Sequence, residues 1–162
     1  MLCFSYGSNM SSARLRARVP SARFVAVATL PAHRLQFHKV SLDGSAKCDA
    51  EETGSRADQV IGVVYDIAAD DKPLLDGHEG LGAGYDLKEV AVVAPQGALS
   101  AFLYFATRVD PDLKPYSWYK EHVLIGAREH ALPSGYIAQI EAVQALMDPI
   151  KSRHERELAI YR

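Results

Sequence analysis

Hydrophobic and polar positions divide the chain into a strand-rich front and a helical end. Leu2–Tyr6 reads as a short apolar strand. Met10–Arg18 reads as a helix that Pro20 stops. Phe24–Leu30 and Arg34–Lys39 read as strands joined by a turn at Pro31. The segment Ser41–Ser55 is polar and contains glycine, and a short strand through Ala46–Ala50 is expected within it. Val60–Ile67 is a β-branched run and predicts a strand. Asp70–Glu79 predicts a short helix, with Pro73 in its first turn and Gly80 as its stop. Tyr85–Val93 and Ala98–Thr107 predict a hairpin around Pro95-Gln96-Gly97. Beyond it, Trp118, His122 and Ile125 fall on one helical stripe, and Tyr136, Ile140, Val143 and Met147 on another. Both stripes read as core packing rather than as a cofactor box. Residues 148–162 are charged and read as a peripheral helix or tail. Strands first and helices afterwards favour α+β over a doubly wound sheet. With no repeat or linker to divide them, residues 1–162 read as one domain.

Composition narrows the function classes. Apolar residues make up 48% and charged residues 23% of the chain, ordinary for a globular protein. A net charge of −2 argues against a general nucleic-acid or membrane-surface partner. Arg14, Arg16, Arg18 and Arg23 cluster near the first helix, and a solvated helix face is the reading preferred over a nucleic-acid patch. No run approaches the roughly 18 apolar residues of a bilayer span. The start lacks a basic stretch followed by a long apolar one, so no secretory signal is expected. Cys3 and Cys48 alone make no disulfide framework, and reduced thiols in a cytoplasmic enzyme are the simpler expectation.

Chemistry concentrates at two places. In Tyr6-Gly7-Ser8-Asn9-Met10 a strand runs into a small-residue turn and then a helix that Asn9 or Ser11 can cap. Such a turn leaves backbone N–H groups without partners at the positive end of a helix, a receptor for a carboxylate or an oxyanion. A plain strand-to-helix turn is the bland alternative. Glu79 is the second place. A carboxylate at a helix C-terminus is locally unfavourable, and burial there would favour its protonated form, which suits a proton shuttle. A solvated surface glutamate is the common fate of the residue type. His78 adjoins it and either tunes it or faces solvent. Other patterns fail. Gly80-Leu81-Gly82-Ala83-Gly84 lacks the third glycine of a dinucleotide loop. Ser117-Trp118-Tyr119-Lys120 has no companion motif. The histidines and cysteines show no metal-ligand spacing.

Three blocks together resemble the gamma-glutamylcyclotransferase-like family. They are Tyr6–Met10; Leu75-Asp76-Gly77-His78-Glu79-Gly80 with Gly84-Tyr85; and Trp118-Tyr119 through Gly126-Ala127-Arg128-Glu129 to Leu132-Pro133-Ser134-Gly135-Tyr136. Their order and spacing agree with the family over residues 2 to about 146. The resemblance implies a small, largely antiparallel barrel-like sheet flanked by helices. It implies conversion of a γ-glutamyl amino acid or amine to 5-oxoproline, a lyase or acyltransferase chemistry of glutathione metabolism, without metal or cofactor. It makes Glu79 the catalytic acid–base. It assigns substrate binding to Tyr6, Gly7, Ser8, Asn9 and Met10, and pocket-lining roles to Tyr85, Tyr104 and Tyr119. The implied partner is a small γ-glutamyl molecule, with no nucleic acid and no membrane. A homodimer is compatible with this reading. The rival reading keeps the fold but makes it a non-catalytic binder of a small carboxylated metabolite.

Overall fold

The strands of the front close on themselves. A computed structural model describes residues 1–162. Strands β1 (Leu2–Ser5), β2 (Arg23–Pro31), β5 (Gln59–Asp66), β6 (Tyr85–Ala94) and β7 (Gly97–Ala106) form a closed barrel in the order β1-β5-β2-β6-β7. Every pairing is antiparallel except β1 with β7, where Cys3 stands opposite Phe102 and closes the barrel. This is the α+β, largely antiparallel barrel that the sequence resemblance implies. The β6–β7 hairpin turns in the two residues Pro95 and Gln96, with Ala94 paired to Gly97. Alternate positions of β2 point inward, with Ala26, Ala28 and Leu30 buried. The run of β5 is buried from Val60 to Tyr65 because its neighbours cover both faces.

Between β2 and β5 the chain leaves the barrel. Ala32 takes a left-handed conformation (φ 58°) and redirects it into β3 (His33–Val40), which pairs with β4 (Ala46–Glu52) as a separate two-stranded ribbon. The turn expected at Pro31 is therefore a crossing between sheets, with no pairing of β2 to β3. Strand β4 is longer than the polar sequence suggests, and Ala46, Cys48, Asp49 and Ala50 are buried. A bulge between Phe37 and Lys39 shifts the ribbon's register and redirects the side chains beyond it.

Helices pack outside. They are α1 (Ser12–Arg18), α2 (Lys72–Glu79), α3 (Ser117–Glu129), α4 (Ser134–Glu141) and α5 (Lys151–Leu158). On α3 the buried residues include Trp118, His122, Val123 and Ala127, while Ile125 is only half-buried. The stripe expected over Tyr136–Met147 ends at Ile140. Lys120 Nζ donates to the carbonyls of Glu141 and Val143 at 2.6 and 2.7 Å and caps α4 there. The chain then runs beside Pro115–Ser117, and Met147 is 72% exposed. Residues 148–162 are a helix and a final turn rather than a loose tail, tied back by Glu157 and Tyr161.

Candidate active site

The turn after β1 is built by close approach. Gly7 has φ −115°, open to any residue, but a Cβ there would lie 3.0 Å from Cys48 Cβ and 3.2 Å from the Tyr119 hydroxyl. Ser8–Met10 make one 3-10 turn, whose own bonding begins with Met10 N–H donating to Gly7 C=O at 3.0 Å. The N–H groups of Ser8 and Asn9 precede that bond and have no partner within the turn. Ser11 is extended and caps α1, accepting from Arg14 N–H at 3.3 Å. Of the two caps expected, Ser11 fills the role and Asn9 turns elsewhere. The turn is pressed onto α3 at Gly126, where a Cβ would stand 2.5 Å from Ser11 N.

Glu79 ends α2, and Gly80 follows in the left-handed conformation (φ 70°) as its cap. Its carboxylate reaches the turn from the opposite side. Oε1 accepts from Asn9 Nδ2 at 2.8 Å and from Arg18 Nη1 at 3.1 Å. Arg18 Nη1 also donates to Asn9 Oδ1 at 3.0 Å, closing a three-membered ring of contacts. Asn9 thus uses both ends of its amide, and Oε2 of Glu79 keeps no protein partner. The Glu79 side chain is 16% exposed. His78 is exposed at the edge of the cleft's continuation, and its ring is held below the usual value by partial burial and by Arg18.

Tyr6, Gly7, Ser8, Asn9, Glu79, Tyr85, Tyr104 and Tyr119 all border one narrow cleft, together with Cys48. Met10, named with them from the sequence, does not border it. Met10 is fully buried in the core, and its carbonyl accepts from Tyr65 O–H at 2.7 Å. The tyrosine hydroxyls are engaged in building the wall. Tyr6 O–H donates to the Tyr104 carbonyl, and Tyr85 O–H to the Cys48 carbonyl. Tyr104 O–H donates to Asp76 Oδ1 at 2.6 Å, and Asp76 is paired in turn with Lys72 at 2.7 Å. Tyr119 differs. Its oxygen accepts from Cys48 N–H at 3.0 Å, and its hydroxyl also meets the Cys48 thiol. Burial pushes the Cys48 thiol up to about 12, so no thiolate nucleophile is present near neutral pH.

Cations line the cleft's continuation, where sequence reasoning placed none. Of the arginines read as a solvated face, Arg16 and Arg23 are exposed, but Arg14 is 8% exposed and Arg18 half-buried. Positions 14 and 18 lie one turn apart on α1 and share its inner face. Arg14 donates to Glu157 Oε2 at 2.8 Å as Arg18 does to Glu79. Lys39 and Lys47 project from the ribbon into the same region. Both inner arginines are thus engaged by carboxylates. The largest cavity of the molecule, ≈ 570 Å³, lies elsewhere, between β3, β5 and α4. Its one carboxylate, Asp58, is already held by Arg34 at 3.0 Å, so size does not mark the chemistry here.

Known proteins resemble the chain over most of its length. The sequence model of the AIG2-like family matches residues 59–140. The chain is 30% identical over 154 residues to human gamma-glutamylcyclotransferase, covering 88% of this chain and 78% of the human protein. It is 31% identical over 148 residues to the mouse protein, with the same coverage. A solved structure of a gamma-glutamyl cyclotransferase superposes with a TM-score of 0.87 at 28% identity, covering 99% of this chain and 98% of that one. No helix is long and apolar enough to cross a membrane. The chain belongs to the AIG2-like, gamma-glutamylcyclotransferase-like family of enzymes.

Proposed function

We propose that this cyclotransferase converts a γ-glutamyl amino acid or amine to 5-oxoproline, with Glu79 as the single proton carrier. The observation that carries the reading is the unpartnered Oε2 of Glu79, in a cleft whose facing wall is the Gly7–Asn9 turn. The substrate's α-amine is protonated at neutral pH and cannot attack. Glu79 takes that proton. The freed amine attacks the γ-carbonyl of its own chain, and the carbonyl oxygen becomes an oxyanion. Collapse of the tetrahedral centre breaks the bond to the leaving nitrogen, which receives the proton from Glu79. A second proton then follows the same route, from the ring nitrogen through Glu79 to the departing amine, which leaves as an ammonium; no water is consumed, and a neutral five-membered lactam remains. Because nucleophile and electrophile share one chain, holding it folded supplies much of the acceleration.

Two anions need donors: the substrate's α-carboxylate and the oxyanion. The N–H groups of Ser8 and Asn9 supply them without a charged cluster, beside the Tyr119 hydroxyl at the cleft wall. Asn9 and Arg18 fix the Glu79 carboxylate through Oε1 and leave Oε2 to work. Each role is taken by a side chain or a peptide group, so exhaustive chelation is expected to leave activity intact. Unpaired, buried Cys3 and Cys48 support a reducing, cytoplasmic setting, and residues 1–162 act as one catalytic domain. The test is release of 5-oxoproline from a panel of γ-glutamyl compounds. Release from none of them sinks the reading, and activity lost to a chelator and restored by zinc removes Glu79 from its role.

A further inference from the structure

Lys39 is buried, 7% exposed, and has no carboxylate partner. Its Nζ lies 4.4 Å from the centre of the Tyr85 ring and makes no hydrogen bond within the protein. The other lysine and arginines that line this region are each matched, Arg14 by Glu157, Arg18 by Glu79, and Lys47 by Asp43 at 2.8 Å, while the exposed Arg108 adds further positive charge near Lys39. One buried positive charge is left over. The ribbon's bulge makes the imbalance worse. The register shift between Phe37 and Lys39 sets Lys39 directly across from Lys47, and like charges opposite one another on paired strands are destabilising. Burial already disfavours the Lys39 ammonium and holds its pKa below the ordinary value, with Glu79 working against that shift. A buried, unmatched ammonium placed beside another lysine is a standing deficit of negative charge.

The place of that deficit is informative. Lys39, Lys47, Arg18 and Ser41 line a second cleft, which shares Ser8, Glu79, Tyr85 and Tyr119 with the first. The two are continuous across Glu79. A γ-glutamyl compound held at the Gly7–Asn9 turn with its scissile bond at Glu79 sends its leaving half into the second cleft.

We propose that Lys39 is a specificity-determining residue that binds a carboxylate on the leaving amine, so that this enzyme prefers γ-glutamyl compounds whose leaving group is an acid over those with a neutral amine. The inference rests on the cyclotransferase reading above. An ammonium meeting a desolvated carboxylate contributes on the order of 1.5–3 kcal/mol, which is roughly ten- to a hundredfold in discrimination. Tyr85, under the ammonium, fixes its height over the cleft.

The experiment measures 5-oxoproline release from γ-glutamyl-alanine and from its neutral twin γ-glutamyl-alaninamide. Wild type, Lys39→Met and Lys39→Arg are compared. Wild type is expected to prefer the acid by at least ~tenfold in kcat/KM. Lys39→Met, of similar length and apolar, should collapse that preference, chiefly through a raised KM for the acid. Lys39→Arg should restore part of it. Equal losses on both substrates in Lys39→Met would assign the lysine to the glutamyl half, or to the fold, and overturn the inference. So would a wild type that does not distinguish the two compounds. If wild type releases 5-oxoproline from neither compound, nor from any other of the panel, the cyclotransferase reading itself is what fails.

Discussion

Helix α1 carries two arginines one turn apart, and each meets a glutamate from a distant part of the chain. Arg18 holds Glu79 at the cleft; Arg14 holds Glu157 behind it. Burial does not tell the pairs apart, since the Glu79 and Glu157 side chains are 16% and 23% exposed. Their surroundings do. Around Arg14 the contacts form a chain with one consistent direction. Arg14 Nη1 donates to His122 Nε2 at 2.8 Å, His122 Nδ1–H donates to the Tyr161 oxygen at 2.7 Å, and Tyr161 O–H donates to Ser11 Oγ at 3.0 Å. Ser11 is the cap of α1 itself, so the chain ends on the turn that forms the cleft wall. Around Arg18 the contacts converge on one carboxylate oxygen and leave the other facing the cleft. One pair holds the scaffold in place, and the other holds a proton carrier. An ion pair in a structure therefore says little until its unused atoms are located.

The sharpest way to break this comparison is to neutralise each glutamate in turn. Glu79→Gln keeps the contact with Arg18 or Asn9 but carries no proton. A loss of at least ~10²-fold in kcat is expected, the scale of general acid–base catalysis. The swap leaves no cavity, so any fall in Tm comes from the charge lost beside Arg18 and does not account for the loss of rate. Turnover near wild type in that variant would end the assignment of Glu79. The facing wall is tested at Gly7. A valine there meets Cys48 and the Tyr119 hydroxyl at distances no side chain holds comfortably, although its backbone angle is acceptable. Gly7→Val is expected to weaken 5-oxoproline binding at least ~tenfold in titration calorimetry, since a shift of even 1.4 kcal/mol suffices. Unchanged product affinity would mean that the turn does not hold the acid.

What the sequence reveals of this site is the part that is local. The Gly-Ser-Asn turn and the glutamate before Gly80 are each contained in a few consecutive residues. Arg18 hides because its partner lies 61 positions away. Residue type does not separate it from Arg16, which is exposed. A spacing of four between Arg14 and Arg18 is the one available signal, since it places both on a single face. Lys39 hides for a different reason. Strict alternation along β3 fails at the bulge, and a bulge has no signature in Phe37-His38-Lys39. The barrel strands are legible because apolar runs and turn residues agree, whereas β4 is underread because its charged residues sit beside buried Cys48 and Ala50. Residues 148–162 are a peripheral helix, one of the two forms expected, but their charges look solvated in the sequence and hide the contacts that Glu157 and Tyr161 make with Arg14 and His122.

The second glutamate should answer in stability rather than in rate. Glu157→Gln removes the charge that compensates buried Arg14. Loss of one partner of a partly buried pair costs about 2 kcal/mol, which for a chain of this size lowers Tm by roughly 4–8 °C. A fall of only ~two- to threefold in kcat is expected at temperatures where the fold holds, because Ser11 and the turn keep their other anchor on Gly126. A rate loss as large as that of Glu79→Gln, with Tm unmoved, would erase the distinction between the two pairs.

The smallest effect is a pH dependence of stability that belongs to the rear pair alone. Burial pushes the His122 ring down from 6.5 to about 4, and Arg14 adds to the shift against the pull of Glu157. The His122 ring and the Arg14 guanidinium, against the opposing effect of burial, bring the Glu157 carboxyl down from 4.5 to about 2. Both groups hold fewer protons folded than unfolded over these ranges, so both make stability fall as pH falls. For His122 the loss is confined to the window from 6.5 to about 4, because below 4 both states are protonated. For Glu157 the stabilisation is complete above 4.5 and disappears toward 2. A series of Tm measurements should therefore decline in two stages on acidification. His122→Gln should flatten the first stage and Glu157→Gln the second, while Glu79→Gln should alter neither by comparison. If Glu79→Gln flattens the upper stage and His122→Gln does not, the acid response comes from the cleft, and the division of labour between the two arginine–glutamate pairs is wrong.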